Sequence, residues 1–150
     1  MKSFPITRET PARFSSPPPR EADVVVIGGG VAGVMTAWFL ARSGVKVVLC
    51  EKGRIAGEQS GRNWGWIRKQ GRDPSELPIM IEALEIWRKL ESEAEADLGF
   101  RETGVLYLGN GPADMAQYEE WMIHARAHGL DSRMLSQSEV SAMVPNAAGW

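Results

Sequence analysis

Four apolar residues, Val24-Val25-Val26-Ile27, run into the turn Gly28-Gly29-Gly30-Val31-Ala32-Gly33, and Glu51 closes the segment Lys46-Val47-Val48-Leu49-Cys50. All four residues of the first run are β-branched, the pattern of a parallel strand buried on both faces. Gly28 allows a tight turn, Gly30 lets backbone approach a pyrophosphate, and Gly33 lets the following helix pack closely on the strand. Apolar helix formers predict that helix over 31–42, with Ser43-Gly44 as its stop. A second strand is expected over 45–49. The amides at Val31 and Ala32 would then open a helix whose positive end faces a diphosphate. A G-x-G-x-x-G run alone is weak evidence. Here it follows a strand, starts a helix and is answered about 20 residues later by an acid, which is the context ribose recognition requires. Glu51 would accept hydrogen bonds from an adenosine ribose, and its charge would repel a 2′-phosphate, which disfavours NADP.

The 150 residues are enough for one domain with a real core, and 43% hydrophobic with 24% charged residues is ordinary for a soluble globular chain. A net charge of −2 argues against a general nucleic-acid binder. The single cysteine, Cys50, excludes an intramolecular disulfide framework and reads as a small hydrophobe buried in the second strand. No apolar run approaches the length of a membrane span, and the N-terminus lacks an apolar signal core, so the default address is cytoplasmic.

Residues 1–22 hold five prolines (Pro5, Pro11, Pro17, Pro18, Pro19) and no hydrophobic period, so a disordered tail is expected. Residues 52–72 carry six cations (Lys52, Arg54, Arg62, Arg68, Lys69, Arg72) against Glu58 alone, in a stretch broken by five glycines. A cationic glycine-rich loop beyond the carboxyl end of the second strand falls near the ligand crevice of an open α/β sheet. Residues 73–102 reverse the balance, with nine anions against three cations. Met80, Leu84, Trp87, Leu90 and Ala94 recur there at helical spacing, which predicts an amphipathic helix from Pro78 to Asp97 with Trp87 in the core. A strand is expected over Thr103–Leu108, then a helix over Pro112–His128 with a stripe of Met115, Tyr118, Met122 and Ala125. His124 and His128 stand four apart but no third ligand is near them, so no metal site is expected. A short strand over Ser132–Leu135, a helical turn over Ser138–Met143 and a loop-like ending, Pro145-Asn146-Ala147-Ala148-Gly149-Trp150, complete the chain.

With residues 24–72 laid out, the chain resembles the flavin-dependent D-amino-acid oxidase family, which includes glycine oxidase, sarcosine oxidase and D-amino-acid dehydrogenases. The resembling residues are Val24 to Gly33, then Ala37, Leu40, Ala41, Gly44, Lys46-Val47-Val48-Leu49 and Glu51-Lys52-Gly53. The more diagnostic match is Gly57-Glu58-Gln59-Ser60-Gly61-Arg62-Asn63-Trp64-Gly65-Trp66-Ile67-Arg68, followed by an acidic helix with Leu84 and Trp87. The resemblance implies an α/β fold. A Rossmann-like βαβ unit that binds FAD would occupy 23–75 with a flavin-side loop, and 76–150 would belong to flavin and inserted α+β substrate regions. It implies oxidation of a C–N bond in an amino acid or secondary amine, with hydride transfer to the flavin, the cofactor carrying the hard chemistry. The FAD-binding residues it implies are Gly28, Gly29, Gly30, Val31, Ala32, Gly33, Glu51, Lys52, Ser60, Arg62 and Asn63. Arg68 would lie on the substrate side, matching the second of two arginines in the sarcosine-oxidase branch, where Gly65 replaces the first. No general acid or base is assigned. Family members are longer, so the chain is expected to be an N-terminal portion, completed by further sequence or by a C-terminal partner chain. The competing readings are an NAD-binding dehydrogenase module and a non-catalytic nucleotide-binding fragment.

Overall fold

The computed structural model describes residues 6, 7 and 9–144; the expectations for residues 1–5 and for Pro145 to Trp150 lie outside them. The described residues pack as two units, one up to Trp66 and the other from Ile67 onward.

The first unit is built on β1 (Val24–Ile27), α1 (Val31–Arg42) and β2 (Val47–Cys50). The two strands pair in parallel, with Val24 opposite Val47 and Ile27 opposite Cys50. Parallel neighbours require a crossover, and α1 supplies it within the 19 residues between Ile27 and Val47. The sheet is anchored at its base by Asp23, whose amide donates to the Lys46 carbonyl at 2.8 Å while its carboxylate accepts from the Lys46 amide at 2.9 Å. At the other end the Gly28 amide donates to the Cys50 carbonyl at 2.8 Å. Ser43 caps α1 and the Gly44 backbone turns at φ 82°, as the sequence predicts. The second strand starts at Val47, two residues later than expected, because Val45 still donates to the Leu40 carbonyl at the helix end.

Two expectations about burial fail here. β1 is not covered on both faces: Val24 and Val26 are half-buried, whereas Val25 is 58% and Ile27 87% exposed. The helix covers one face of the strand pair, and among the described residues nothing covers the other. Cys50 is exposed rather than buried, because it ends β2 where the chain leaves the sheet.

The second unit is mainly helical. Asp73 accepts from the Ser75 amide at 2.9 Å and starts a 3-10 turn, Pro74–Glu76, that leads into α2 (Leu77–Ala94). Leu77, Leu84 and Leu90 of α2 are buried, Glu82, Glu85 and Glu93 are exposed, and the half-buried Glu91 accepts from the Leu98 and Phe100 amides. The helix ends three residues before the expected Asp97, with Glu95 in the left-handed region at φ 50°. Trp87 is half-buried and stacks on Phe100, ring centroids 5.9 Å apart. α3 (Pro112–Ala127) buries Met122 and Ala125, while Tyr118 is half-buried and Met115 exposed. α4 (Gln137–Met143) opens with a capping box, the Ser136 hydroxyl accepting from the Glu139 amide and the Glu139 carboxylate from the Ser136 amide. The strands expected over Thr103–Leu108 and Ser132–Leu135 are not formed. Among the described residues the one sheet is β1 and β2, and β-prone sequence without a pairing neighbour stays as irregular chain.

Candidate functional site

The carboxyl ends of β1 and β2 hold the residues the fingerprint singles out. Gly28 leaves the strand at φ 108°, a conformation open to glycine at little cost. A Cβ on Gly33 would lie 1.9 Å from the Gly28 carbonyl oxygen, so the first turn of α1 is pressed directly on the turn that precedes it. Gly30 sits at the N-cap with extended backbone and contributes no side-chain cap of its own. The oxygen arrives from far along the sequence: the Ser60 hydroxyl accepts from the Val31 amide at 2.8 Å. Ala32 follows Val31 in the first turn of α1, and both are exposed.

Glu51 closes the other side. Its Oε2 accepts from the Gly29 amide at 2.7 Å and its Oε1 from the Gly53 amide at 2.7 Å. These two backbone donors, the Gly29 amide first, hold the Glu51 carboxyl below its ordinary value of 4.5. The acid is therefore charged and fixed across the glycine turn. A further link, from the Ala56 amide to the Gly29 carbonyl at 2.8 Å, draws the loop after β2 onto the same turn.

Between these groups lies a cavity of about 190 Å³, lined by Gly30, Glu51, Arg54, Glu58 and Ser60 among others. Whole-ligand pockets run to roughly 300–1,000 Å³, so this volume suits a ribose and phosphate fragment rather than an entire dinucleotide. The remaining expected residues lie on the loop but not all at the cavity. Lys52 is exposed beside Glu51. Arg62 pairs with Glu58 at 3.3 Å, and both side chains are open to solvent. Asn63 braces the loop, its Nδ2 donating to the Ser60 carbonyl and its Oδ1 accepting from the Gly65 amide, each at 2.5 Å. Trp64 is 90% exposed. Arg68 belongs to the second unit, where its guanidinium donates to the Gln70 carbonyl, an acceptor it shares with the Tyr107 hydroxyl at 3.2 Å.

Arg54 and Ala56 were not singled out by the pattern. Arg54 was one cation among six, and its place three residues past Glu51 was the available signal. Ala56 adopts φ 56°, a conformation the sequence would have assigned to the neighbouring Gly57. Among the described residues no cluster of three His, Cys, Asp or Glu side chains gathers in ligating geometry, and the His128 ring lies 3.2 Å from the His124 carbonyl at the end of α3.

A parallel β-α-β unit with a glycine turn, a helix N-terminus and a fixed acid at the second strand defines the class of dinucleotide-binding proteins. The chain belongs to the FAD dependent oxidoreductase family (DAO), whose profile matches residues 23–150. FAD is that family's cofactor. Among curated proteins it is 30% identical over 135 residues to the sarcosine oxidase subunit beta of an Arthrobacter species, covering 88% of this chain and 33% of that one. It is 31% identical over 136 residues to the mitochondrial sarcosine dehydrogenase of Mus musculus, covering 87% of this chain and 14% of that one. Among solved structures it superposes on the L-amino acid deaminase from Proteus myxofaciens in complex with anthranilate with a TM-score of 0.79 at 32% identity, covering 91% of this chain and 32% of that one. The chain spans about a third of the length of sarcosine oxidase subunit beta.

Proposed function

We propose that residues 23–75 form the ADP-binding part of a Rossmann-like FAD domain, and that residues 76–150 belong to the flavin and substrate regions of the same oxidoreductase. The observation that carries the reading is the Glu51 carboxylate fixed across the Gly29 amide, beside a cavity that also meets Gly30 and the Ser60 hydroxyl. An acid so placed accepts from ribose hydroxyls, and the first turn of α1 presents amides and a positive dipole end to the diphosphate. Gly33 keeps that helix end close to the turn, and the Val31 amide donates to the Ser60 hydroxyl, whose residue lines the cavity. Ser60 holds the loop against the helix, Asn63 braces the loop on itself, and Lys52 and Arg62, the latter paired with Glu58, stand around it.

Bound FAD would supply the redox chemistry, accepting two electrons as a C–N bond of an amino acid or secondary amine is oxidised. The residues of this chain bind and orient it. The named activities of the relatives, on sarcosine and L-amino acids, support a substrate that carries an amine next to a carboxylate. Arg68 is the carboxylate-side candidate, and the remaining substrate groups would come from further sequence or from a partner subunit. The subunit naming of the Arthrobacter relative supports that last reading.

Titration of the chain with FAD, ADP, NAD and NADP tests the assignment. ADP should bind, FAD should be held no more than weakly by residues 1–150 alone, NADP should not bind, and Glu51→Ala should weaken ADP and FAD alike. Equal affinity of wild type and Glu51→Ala would remove the ribose assignment. For the whole reaction, amine-dependent dye reduction and peroxide release should be absent from residues 1–150 and present once the flavin and substrate regions are complete, because reacting groups must be held at contact distance.

A further inference from the structure

The N-terminal segment meets the cavity wall at Arg54. The Arg54 Nε donates to the backbone carbonyl of Thr10, 44 residues earlier, and its Nη1 donates to the Gly53 carbonyl at 3.1 Å. Thr10 is itself set in a tight local turn: its amide donates to the Thr7 carbonyl at 3.2 Å, and its Oγ1 accepts from the Thr7 amide at 2.9 Å. Among the described residues lining the cavity, Arg54 is the one cation, facing a wall that also contains Glu51 and Glu58.

We propose that the segment around Thr10 is a strap that fixes the Arg54 guanidinium at the cavity wall so that it meets the diphosphate of the bound dinucleotide. The proposal rests on the cofactor reading above and adds to it a positioning role for a segment that composition marks as a disordered tail. The physical case has three parts. An arginine side chain is rich in rotamers, and confining it on ligand binding costs conformational entropy that a pre-formed tether removes from the binding step. The guanidinium is a planar fork whose orientation decides whether it can serve an anion, and carbonyls at Nε and Nη1 set that orientation. The cavity's acidic groups oppose an incoming diphosphate, so a cation held among them acts where the electrostatic need is greatest.

The test is the affinity of the 150-residue chain for ADP, FAD and adenosine, measured for wild type, Arg54→Ala, a deletion of residues 1–12, Thr10→Val and the deletion combined with Arg54→Ala. Arg54→Ala should weaken ADP and FAD about five- to twentyfold, with the loss diminishing as salt rises, and leave adenosine unchanged. The deletion should weaken ADP severalfold and add nothing in the Arg54→Ala background. Thr10→Val keeps the chain intact and loosens only the local turn, and it should give a smaller loss of the same kind if the deleted chain folds poorly. A loss on deletion that is equally large with and without Arg54, or that extends to adenosine, would show a general stabilising role and overturn the strap. So would unchanged ADP affinity in both Thr10→Val and the deletion. If the intact chain bound neither ADP nor FAD, the cofactor reading itself would fall and the strap with it; intact binding with an inert N-terminal segment would overturn the strap alone.

Discussion

The hydroxyl of Ser60 caps the amide of Val31 across 29 positions, so the loop that leaves the second strand completes the helix that begins after the first. The local sequence cannot do this, because Gly30 at the N-cap has no side chain. Glycine there leaves room for a ligand, and Ser60 satisfies the helix end from outside. A Cβ on Gly30 would stand 3.1 Å from the Ser60 Oγ, so both demands converge on one point.

Ser60→Ala should therefore cost the first unit about 0.5–2 kcal/mol, the range measured for lost helix caps. Chemical denaturation gives the stability, and hydrogen exchange at Val31 locates it. Unchanged protection at Val31 in the variant would show that the contact carries no energy.

Gly33→Ala should be the most damaging single glycine substitution at the site. Its Cβ would fall 1.9 Å from backbone, the Gly28 oxygen, which cannot swing away. The nearest obstacle to a Cβ on Gly29 is the far end of the Ile55 side chain at 2.5 Å, which has rotamers available, although the Glu51 Cβ at 3.1 Å leaves little slack. The expected cost at Gly33 is about 1–3 kcal/mol or more, the scale of overpacking against a rigid neighbour. Melting temperatures of Gly33→Ala and Gly29→Ala side by side decide the order. A Gly33→Ala protein as stable as wild type would mean that α1 stands off from the turn.

How far the sequence revealed this molecule depends on how local each signal is. The βαβ unit was legible because its strand, turn, helix and acid each announce themselves within a few residues, and α2, α3 and α4 because their apolar spacing or caps do the same. Strands at 103–108 and 132–135 were over-read: β-prone residues describe a capacity for pairing, while a strand requires a neighbour. Burial of Val25, Ile27 and Cys50 was over-read for a related reason, since a residue type does not say what covers it. The Glu51 position followed from spacing alone. Its use of both carboxylate oxygens on the Gly29 and Gly53 amides, and the approach of Arg54 to Thr10, depend on the loop's path in space and left no mark in the sequence.

Leu77 is the largest fully buried side chain among the described residues, although it stands at the very start of α2. Leu77→Ala should cost about 2–5 kcal/mol through lost burial and a residual cavity. The exposed Ile79, two residues on, is the control, and Ile79→Ala should change stability by about 0.5 kcal/mol or less. Denaturant midpoints of the two variants test this, and equal midpoints would remove Leu77 from the core.

The acid limb of stability should be shaped in part by two carboxylates with different jobs, beside the lowered Glu9, Asp73, Asp97 and Glu102. Glu139 is pushed down to about 2 from 4.5 by the Ser136 amide first and then by Arg133 and the Ser136 hydroxyl, and it holds the start of α4. Glu51 is lowered by the Gly29 and Gly53 amides and holds the glycine turn. In both, the folded form is the stronger acid. Each contribution is therefore full above the unfolded value of 4.5 and is lost as pH falls below it, for Glu139 down to about 2. Stability of the chain should accordingly decline from about pH 5 downward, and Glu139→Gln should flatten part of that decline, while lowering stability at neutral pH where the charged cap is otherwise intact. Glu51→Gln should act in the same direction in the first unit, because the amide retains one acceptor oxygen where the carboxylate uses two. Urea titrations at pH 7, 5, 4 and 3 of wild type and both variants measure the slopes, with exchange at the Gly29 and Ser136 amides assigning each to its residue. An unaltered acid slope in Glu139→Gln would mean that the capping box does not form in solution.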